Sequence, residues 1–221
     1  MGVDGEQVES FMHIKGRDQR GTDAALYLPD TVTLHSASDG HPETPSAFLL
    51  GYDKFADSEE VDISMILGGH HGGTVSKYII ENVAEKRKDC VAFISPSKAD
   101  VTKSSKTLAQ KTDDVKAYRL TGVGNLGINS LSSSYGVMDS GWKYQYDKFN
   151  DKYRWVPLNG DIAGLCVRTD ESRDAWWSPA GFNRGQIKNV AKLAWNPQKA
   201  HRDELYKNGI NPVVTIPGQG T

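Results

Sequence analysis

The chain has 221 residues, with 26 Lys+Arg against 28 Asp+Glu and a formal net charge of −2. That length holds one large domain or two small ones and buries a core without a metal or disulfide staple. The near-neutral balance argues against a dedicated nucleic-acid binder, which needs a basic surplus to displace counterions from phosphates. Cys90 and Cys166 form neither a CxxC pair nor a disulfide framework, so they are read as buried small residues in a reducing compartment. No apolar run reaches the ~18 residues of a membrane span, and MGVDGEQVESF carries no leader or myristoylation pattern.

Residues 1–47 are expected to be an irregular N-terminal segment, the remnant of a truncated region. Gly16, Gly21, Pro29, Gly40, Pro42 and Pro45 interrupt every periodic pattern there. Residues 48–221 are expected to form an α/β core domain: a central mixed sheet with flanking helices and an aromatic β-hairpin. The first strand is Val61–Leu67, followed by the turn Gly68–Gly73. Thr74 is placed to cap a helix whose apolar stripe is Val75, Tyr78, Ile79, Val83 and Ala84. Lys86, Arg87 and Lys88 suit the C-terminal end of its dipole. Cys90–Ile94 is a second buried strand ended by Ser95-Pro96. Strand, helix and strand in this order make a right-handed parallel crossover.

A further helix is predicted over 102–118, with Leu108 and Val115 inward; 121–134 shows no strong pattern. Trp142, Tyr144 and Tyr146 alternate with polar residues, as do Tyr153 and Trp155, which predicts a hairpin. Asn159–Arg173 is a capped helix with Ile162, Leu165 and Cys166 inward. Asn196-Pro197 opens the last helix, Gly209 closes it after Tyr206, and Pro212–Pro217 is a short strand.

Candidate chemistry is scarce. Gly68–Thr74 lies where phosphate-binding turns lie, but it lacks the P-loop lysine, so a plain strand-to-helix turn is favoured. Gly122-Val123-Gly124-Asn125-Leu126-Gly127 matches GxGxxG without the amphipathic helix that should follow it. His70 and His71 are adjacent, and no Cys or Glu completes a metal set near them. His13, His35, His41 and His201 are isolated. No nucleophile elbow occurs. Asp170, Glu171 and Asp174, interleaved with Arg168 and Arg173, read as an ion-pair cluster rather than an acid–base pair. Trp176-Trp177-Ser178-Pro179-Ala180-Gly181-Phe182-Asn183-Arg184-Gly185 is the most unusual stretch, suited to a ligand platform, an aromatic wedge or a protein interface. No catalytic, cofactor-binding or metal-binding residue is expected.

From Asn159 onward the chain resembles the contractile tail sheath proteins of myophages, most closely those of T-even-like phages. Ala163-Gly164, Arg168-Thr169-Asp170, Ser178-Pro179-Ala180-Gly181, Gly209-Ile210-Asn211 and Pro217-Gly218-Gln219-Gly220 follow the family pattern in order. Residues 61–96 and Ser134-Tyr135-Gly136-Val137-Met138-Asp139 also look like the family core.

The resemblance implies a structural subunit, not an enzyme, with no cofactor. Such subunits stack helically around a tail tube and contract to drive it through the host envelope. The implied partners are other sheath subunits, the tail tube protein, the baseplate and the tail terminator, without nucleic acid or membrane. The implied place is the virion tail, assembled in the host cytoplasm. A heterologous contact that does not close builds such a helix, contraction is a rigid-body rearrangement, and the extended form persists behind a kinetic barrier. In the family, terminal arms add strands to neighbouring subunits. Family members continue beyond Gly220-Thr221, so the chain is expected to be a central piece, monomeric by itself. Two other readings stay open: an α/β enzyme holding a phosphate at Gly68–Thr74, and a sheath subunit of a bacterial contractile injection system.

Overall fold

Three short parallel strands organise the fold: β3 (Met65–Leu67), β4 (Val91–Ile94) and β5 (Gly136–Met138), in the order β3-β4-β5. The computed structural model describes residues 7–8, 32–33, 44–120, 133–181, 184–218 and 220–221. The chain divides into two units, Met1–Glu43 and Thr44–Thr221. In the first, β1 (Gln7–Val8) pairs antiparallel with β2 (Val32–Thr33). All else concerns the second.

The sheet register pairs Ile66 with Ala92 and Ala92 with Gly136; the next row pairs Leu67 with Phe93 and Phe93 with Val137. Alternate rows face opposite sides. Ile66, Ala92 and Ile94 belong to the main core cluster, whereas Met65, Val91, Phe93 and Val137 face an open groove.

The crossover helix runs in three consecutive stretches: α2 (Gly73–Tyr78), a π-helical segment (Ile79–Ala84) and α3 (Glu85–Arg87). Val75, Ile79, Ile80, Val83 and Ala84 are all buried, so the predicted apolar stripe drives this helix onto the sheet. Lys88, in the left-handed conformation at φ 63°, ends it. Thr74 does not cap: Gly72 holds the N-cap position, and no side chain bonds there. Arg87 reaches back to the preceding loop, donating to the carbonyls of Phe55, Asp57 and Val61 while pairing with Asp89 at 2.8 Å. That fork ties down the loop ahead of β3, which is shorter than the predicted 61–67 run.

Pro45 begins a helix rather than breaking one. It opens α1 (Pro45–Asp53) at a position where its missing N–H costs nothing, and the Thr44 hydroxyl accepts from Ala47 N. The predicted 102–118 helix is two helices, α4 (Lys98–Thr102) and α5 (Leu108–Leu120). Thr107 and Gln110 exchange side-chain-to-amide bonds in a capping box that starts α5. Val115 is fully buried, and Leu108 packs on the core.

The predicted hairpin forms as β6 (Trp142–Asp147) and β7 (Lys152–Pro157), pairing Tyr144 with Trp155 and Tyr146 with Tyr153. A third strand, β8 (Lys192–Leu193), joins β6 on its other side. The mixed α/β class holds, with parallel and antiparallel strands sorted into two sheets instead of one.

The helix α6 (Asn159–Ser172) lies across β3 and β4 on the groove side. Leu158, not Asn159, occupies its N-cap position. The last helix is α7 (Lys199–Lys207), capped at Gln198. Asn196 does not open it, because its side chain donates to Thr215 O and accepts from Thr215 N. Those bonds hold the 212–217 stretch beside Asn196 without a strand, where one was predicted. Gly209, at φ 72°, closes α7 as expected, with its N–H on Tyr206 O.

A candidate subunit interface

The turn Gly68–Gly73 spends its polar groups on the fold. Gly68 N donates to Phe93 O at 2.8 Å. A Cβ at Gly68 would stand 3.0 Å from Ile94 Cγ2 and 3.3 Å from Phe93 O, so a side chain there would have to push these neighbours by a few tenths of an ångström. Asn159 Nδ2 donates to Gly69 O at 2.7 Å. The amides of Val75 and Ser76 bond Gly72 O and so are engaged at the helix start. The ring of His71 sits 3.7 Å from that of Phe48 and 4.5 Å from that of His70. Burial, then the charge of His70, pushes its pKa below the usual imidazole value. The two histidines pack; among the described residues, no group of three or more His, Cys, Asp or Glu is placed to hold a metal. The GxGxxG match at 122–127 lies outside the described residues.

The charged run at the end of α6 holds a loop. Arg168 donates to the carbonyls of Arg184 and Gln186. Arg184 in turn donates to the carbonyls of Ser178 and Ala180. The guanidinium groups of Arg173 and Arg184 lie 5.5 Å and 5.6 Å from the Trp177 ring. Trp177, 37% exposed, thus lies against both guanidinium groups, whereas its neighbour Trp176 is 78% exposed. Gly185 completes the loop by donating to Gly181 O at 2.8 Å. A Cβ there would stand 2.8 Å from Gly181 N and 2.9 Å from Gly181 O, both backbone atoms. Gly185→Ala is accordingly expected to push the two strands of the loop apart. Limited proteolysis should cut faster within 178–187 than in the wild type; an unchanged digestion pattern would contradict the packing argument.

Between this loop, α6 and the sheet lies a groove of about 1060 Å³. Phe93 and Val137 form its floor, Ile162, Leu165 and Cys166 one wall, and the stretch around Val213 another. Cys166 lines this groove half-buried, and burial followed by the charge of Asp170 pushes its thiol up, away from the reactive thiolate. Asp170 reaches the rim. A second unpartnered surface is the hairpin tip. Phe149 is 88% exposed, Tyr146 and Tyr153 of the same hairpin are exposed too, and the rings of Tyr144 and Tyr153 stack at 5.3 Å. Lys192 spans the far end of this row, over Tyr144 and Trp155.

Sequence reasoning isolated the Trp176–Gly185 stretch but not the groove. Its signal was the second apolar row on each strand (Met65, Val91, Phe93 and Val137), which a strand covered on one face does not need.

The geometry offers shaped apolar surface and no assembled catalytic constellation among the described residues. The family model for the phage tail sheath protein central domain matches residues 59–221. The chain belongs to the phage tail sheath family. It is 43% identical over 186 residues to the tail sheath protein of Vibrio phage KVP40, covering 78% of this chain and 27% of that protein. To the tail sheath protein of Enterobacteria phage T4 it is 41% identical over 199 residues, covering 86% of this chain and 30% of that one. The chain thus spans less than a third of the length of these sheath relatives. Among solved structures, a chain of the anti-feeding prophage baseplate aligns at a TM-score of 0.49 and 12% identity, covering 86% of this chain and 51% of that one. A likeness that slight carries no argument. The Ser178–Gly181 and Gly209–Asn211 motifs that carry the sequence resemblance both fall within the matched span.

Proposed function

We propose that this chain is part of a contractile tail sheath subunit, a structural component without enzymatic activity. The supporting observation is the sheath match over residues 59–221, which spans the parallel sheet, the hairpin sheet and the residues lining the groove. In this reading residues 48–221 are the sheath core domain and 1–47 a segment preceding it. The partners are other sheath subunits in a helical array, the tail tube protein, the baseplate and the terminator. The setting is the virion tail, assembled in the host cytoplasm. The groove and the exposed Trp176 and Phe149 are surfaces of the kind that such packing covers, since apolar surface in contact with copies of itself is removed from water. A contact between different faces, repeated, propagates as a helix.

Gold-labelled antibody raised against this chain is expected to decorate the outer tail along its whole length, in extended and contracted particles encoded by the same genome. Labelling confined to the tube, the baseplate or the capsid would overturn the proposal. Calorimetry with ATP and with NAD is expected to show no saturable heat. A micromolar dissociation constant for either ligand, abolished by replacing His70 and His71 with alanine, would favour an enzyme that uses the Gly68–Thr74 turn.

A further inference from the structure

We propose that Asp139 is a proton-operated latch that sets how firmly the first turn of α6 is held to the parallel sheet.

The carboxyl sits just past β5 and is 2% exposed. Its Oδ2 accepts from the Ser95 hydroxyl at 2.6 Å, and its Oδ1 accepts from Gly141 N at 2.8 Å. Ser95 Oγ at the same time accepts from the amide of Asn159, the first residue of α6, at 3.0 Å. Asn159 extends the chain of bonds to Gly69 O in the turn after β3. One carboxyl thus governs a relay that joins the end of β4, the β5–β6 junction, the start of α6 and the β3 turn. Next to it, Ser140 Oγ accepts from Val213 N, and Asn211 forms an isolated parallel bridge with Asp139.

The charges around this site disfavour an ionised Asp139. From α6, Asp161 repels it. Lys143 on β6 is committed to Asp161, with Nζ to Oδ1 at 2.8 Å. From α5, the buried Tyr118 hydroxyl is hydrogen-bonded with Ser76 at 3.3 Å, and Asp139 and Asp100 on α4 both hold it in its neutral form. Among the described residues no cation pairs with Asp139. Burial pushes its pKa up to about 7, and the hydrogen bonds from Ser95 and Gly141 pull the other way without cancelling it.

The two protonation states use the relay differently. An ionised carboxylate can only accept, so the Ser95 hydroxyl hydrogen must point at it. On protonation the donor role reverses: the carboxyl donates its own hydrogen to Ser95 Oγ, the Ser95 hydrogen turns away from Asp139, Oγ keeps accepting from Asn159 N, and the carboxyl carries no charge. The protonated state is therefore the closed latch. Above neutral pH the buried charge is relieved by letting water reach Asp139 through the Ser95–Asn159 contact, at the first turn of α6.

The sign follows from linkage. The folded pKa lies above the unfolded one, so the stabilisation is complete below about pH 4 and is lost as pH rises to about 7. Asp139→Asn supplies a neutral N–H toward Ser95 and mimics the protonated acid at every pH. Relative to this variant, the wild-type unfolding constant is expected to rise up to about tenfold per pH unit between pH 4 and 7, then level off. Parallel pH slopes in the two proteins would overturn the proposal.

Carbon-13 titration of the wild-type carboxyl needs no variant to fold. A midpoint near 7 supports the latch, and one near 4 refutes it. Hydrogen-exchange protection factors, corrected for intrinsic rate, separate a latch from a merely buried acid. Protection is expected to fall in the first turns of α6 as pH passes 7, with α5 unchanged. An equal fall in both helices would show that Asp139 titrates without latching α6.

Discussion

Trp142→Ala is expected to destabilise the Thr44–Thr221 unit by about 3–5 kcal/mol. Trp142 opens β6 where the hairpin meets the parallel sheet. Its ring is buried in the main core cluster together with Trp195, and Trp155 packs against that cluster. Its Nε1 donates to Pro96 O at 2.7 Å, so it fixes the chain directly after β4. Truncation removes one of the largest buried apolar surfaces and leaves both a void and a carbonyl without its donor. For a unit of this size the thermal midpoint should fall by roughly 10 °C, followed by far-ultraviolet circular dichroism. Trp142→Phe keeps most of the ring volume and loses the N–H. It should cost about 1–2 kcal/mol, the share of the Pro96 bond. A midpoint for the alanine variant within a couple of degrees of the wild type would mean that this junction is not under packing load.

Residues whose partners lie nearby in sequence announced themselves. The helix across Val75, Ile79 and Val83 was legible because its stripe repeats at helical spacing over a stretch with no Gly or Pro. The hairpin was legible because Tyr144, Tyr146, Tyr153 and Trp155 alternate about a short turn. The relay of arginines after α6 was visible only as charge. That Arg168 and Arg184 bond carbonyls, and not Asp170 or Asp174, depends on where the 178–187 loop returns. The errors have the same source. Asn196-Pro197 has the composition of a helix start, yet Asn196 instead pairs with Thr215, 19 residues away. Pro212–Pro217 has strand composition, but the pairing beside β5 goes no further than the Asn211–Asp139 bridge, and Val213 bonds the Ser140 hydroxyl instead. The π-helical widening at Ile79–Ala84 has no sequence signature of its own, because the same apolar residues suit an ordinary helix. The groove and Asp139 were illegible for a related reason. Both are properties of what fails to cover a surface, or of what buries one acid, and both follow from long-range contacts.

Asp161→Ala is expected to cost about 3 kcal/mol, and it connects stability to the latch. The Lys143 side chain is only 5% exposed, and its ammonium has two acceptors, Asp161 Oδ1 at 2.8 Å and Lys188 O at 3.2 Å. Removing the carboxylate leaves a buried cation with one carbonyl, the situation in which breaking an ion pair costs far more than the pair contributes. Asp161 also lies in the first turn of α6, where a negative charge complements the helix dipole. Lys143→Met removes the charge that would be stranded, so the double variant should recover part of the loss. A double-mutant cycle should therefore give a coupling of at least about 1 kcal/mol, and strictly additive variants would contradict it. The second consequence is electrostatic. Asp161 raises the Asp139 pKa, so its removal should shift the Asp139 titration to lower pH and move the loss of α6 protection with it. Lys143→Met alone should shift that titration the opposite way, because it leaves Asp161 unscreened. A pair of opposite shifts at one buried carboxyl cannot arise from a general loosening of the fold, which would move both variants in the same direction.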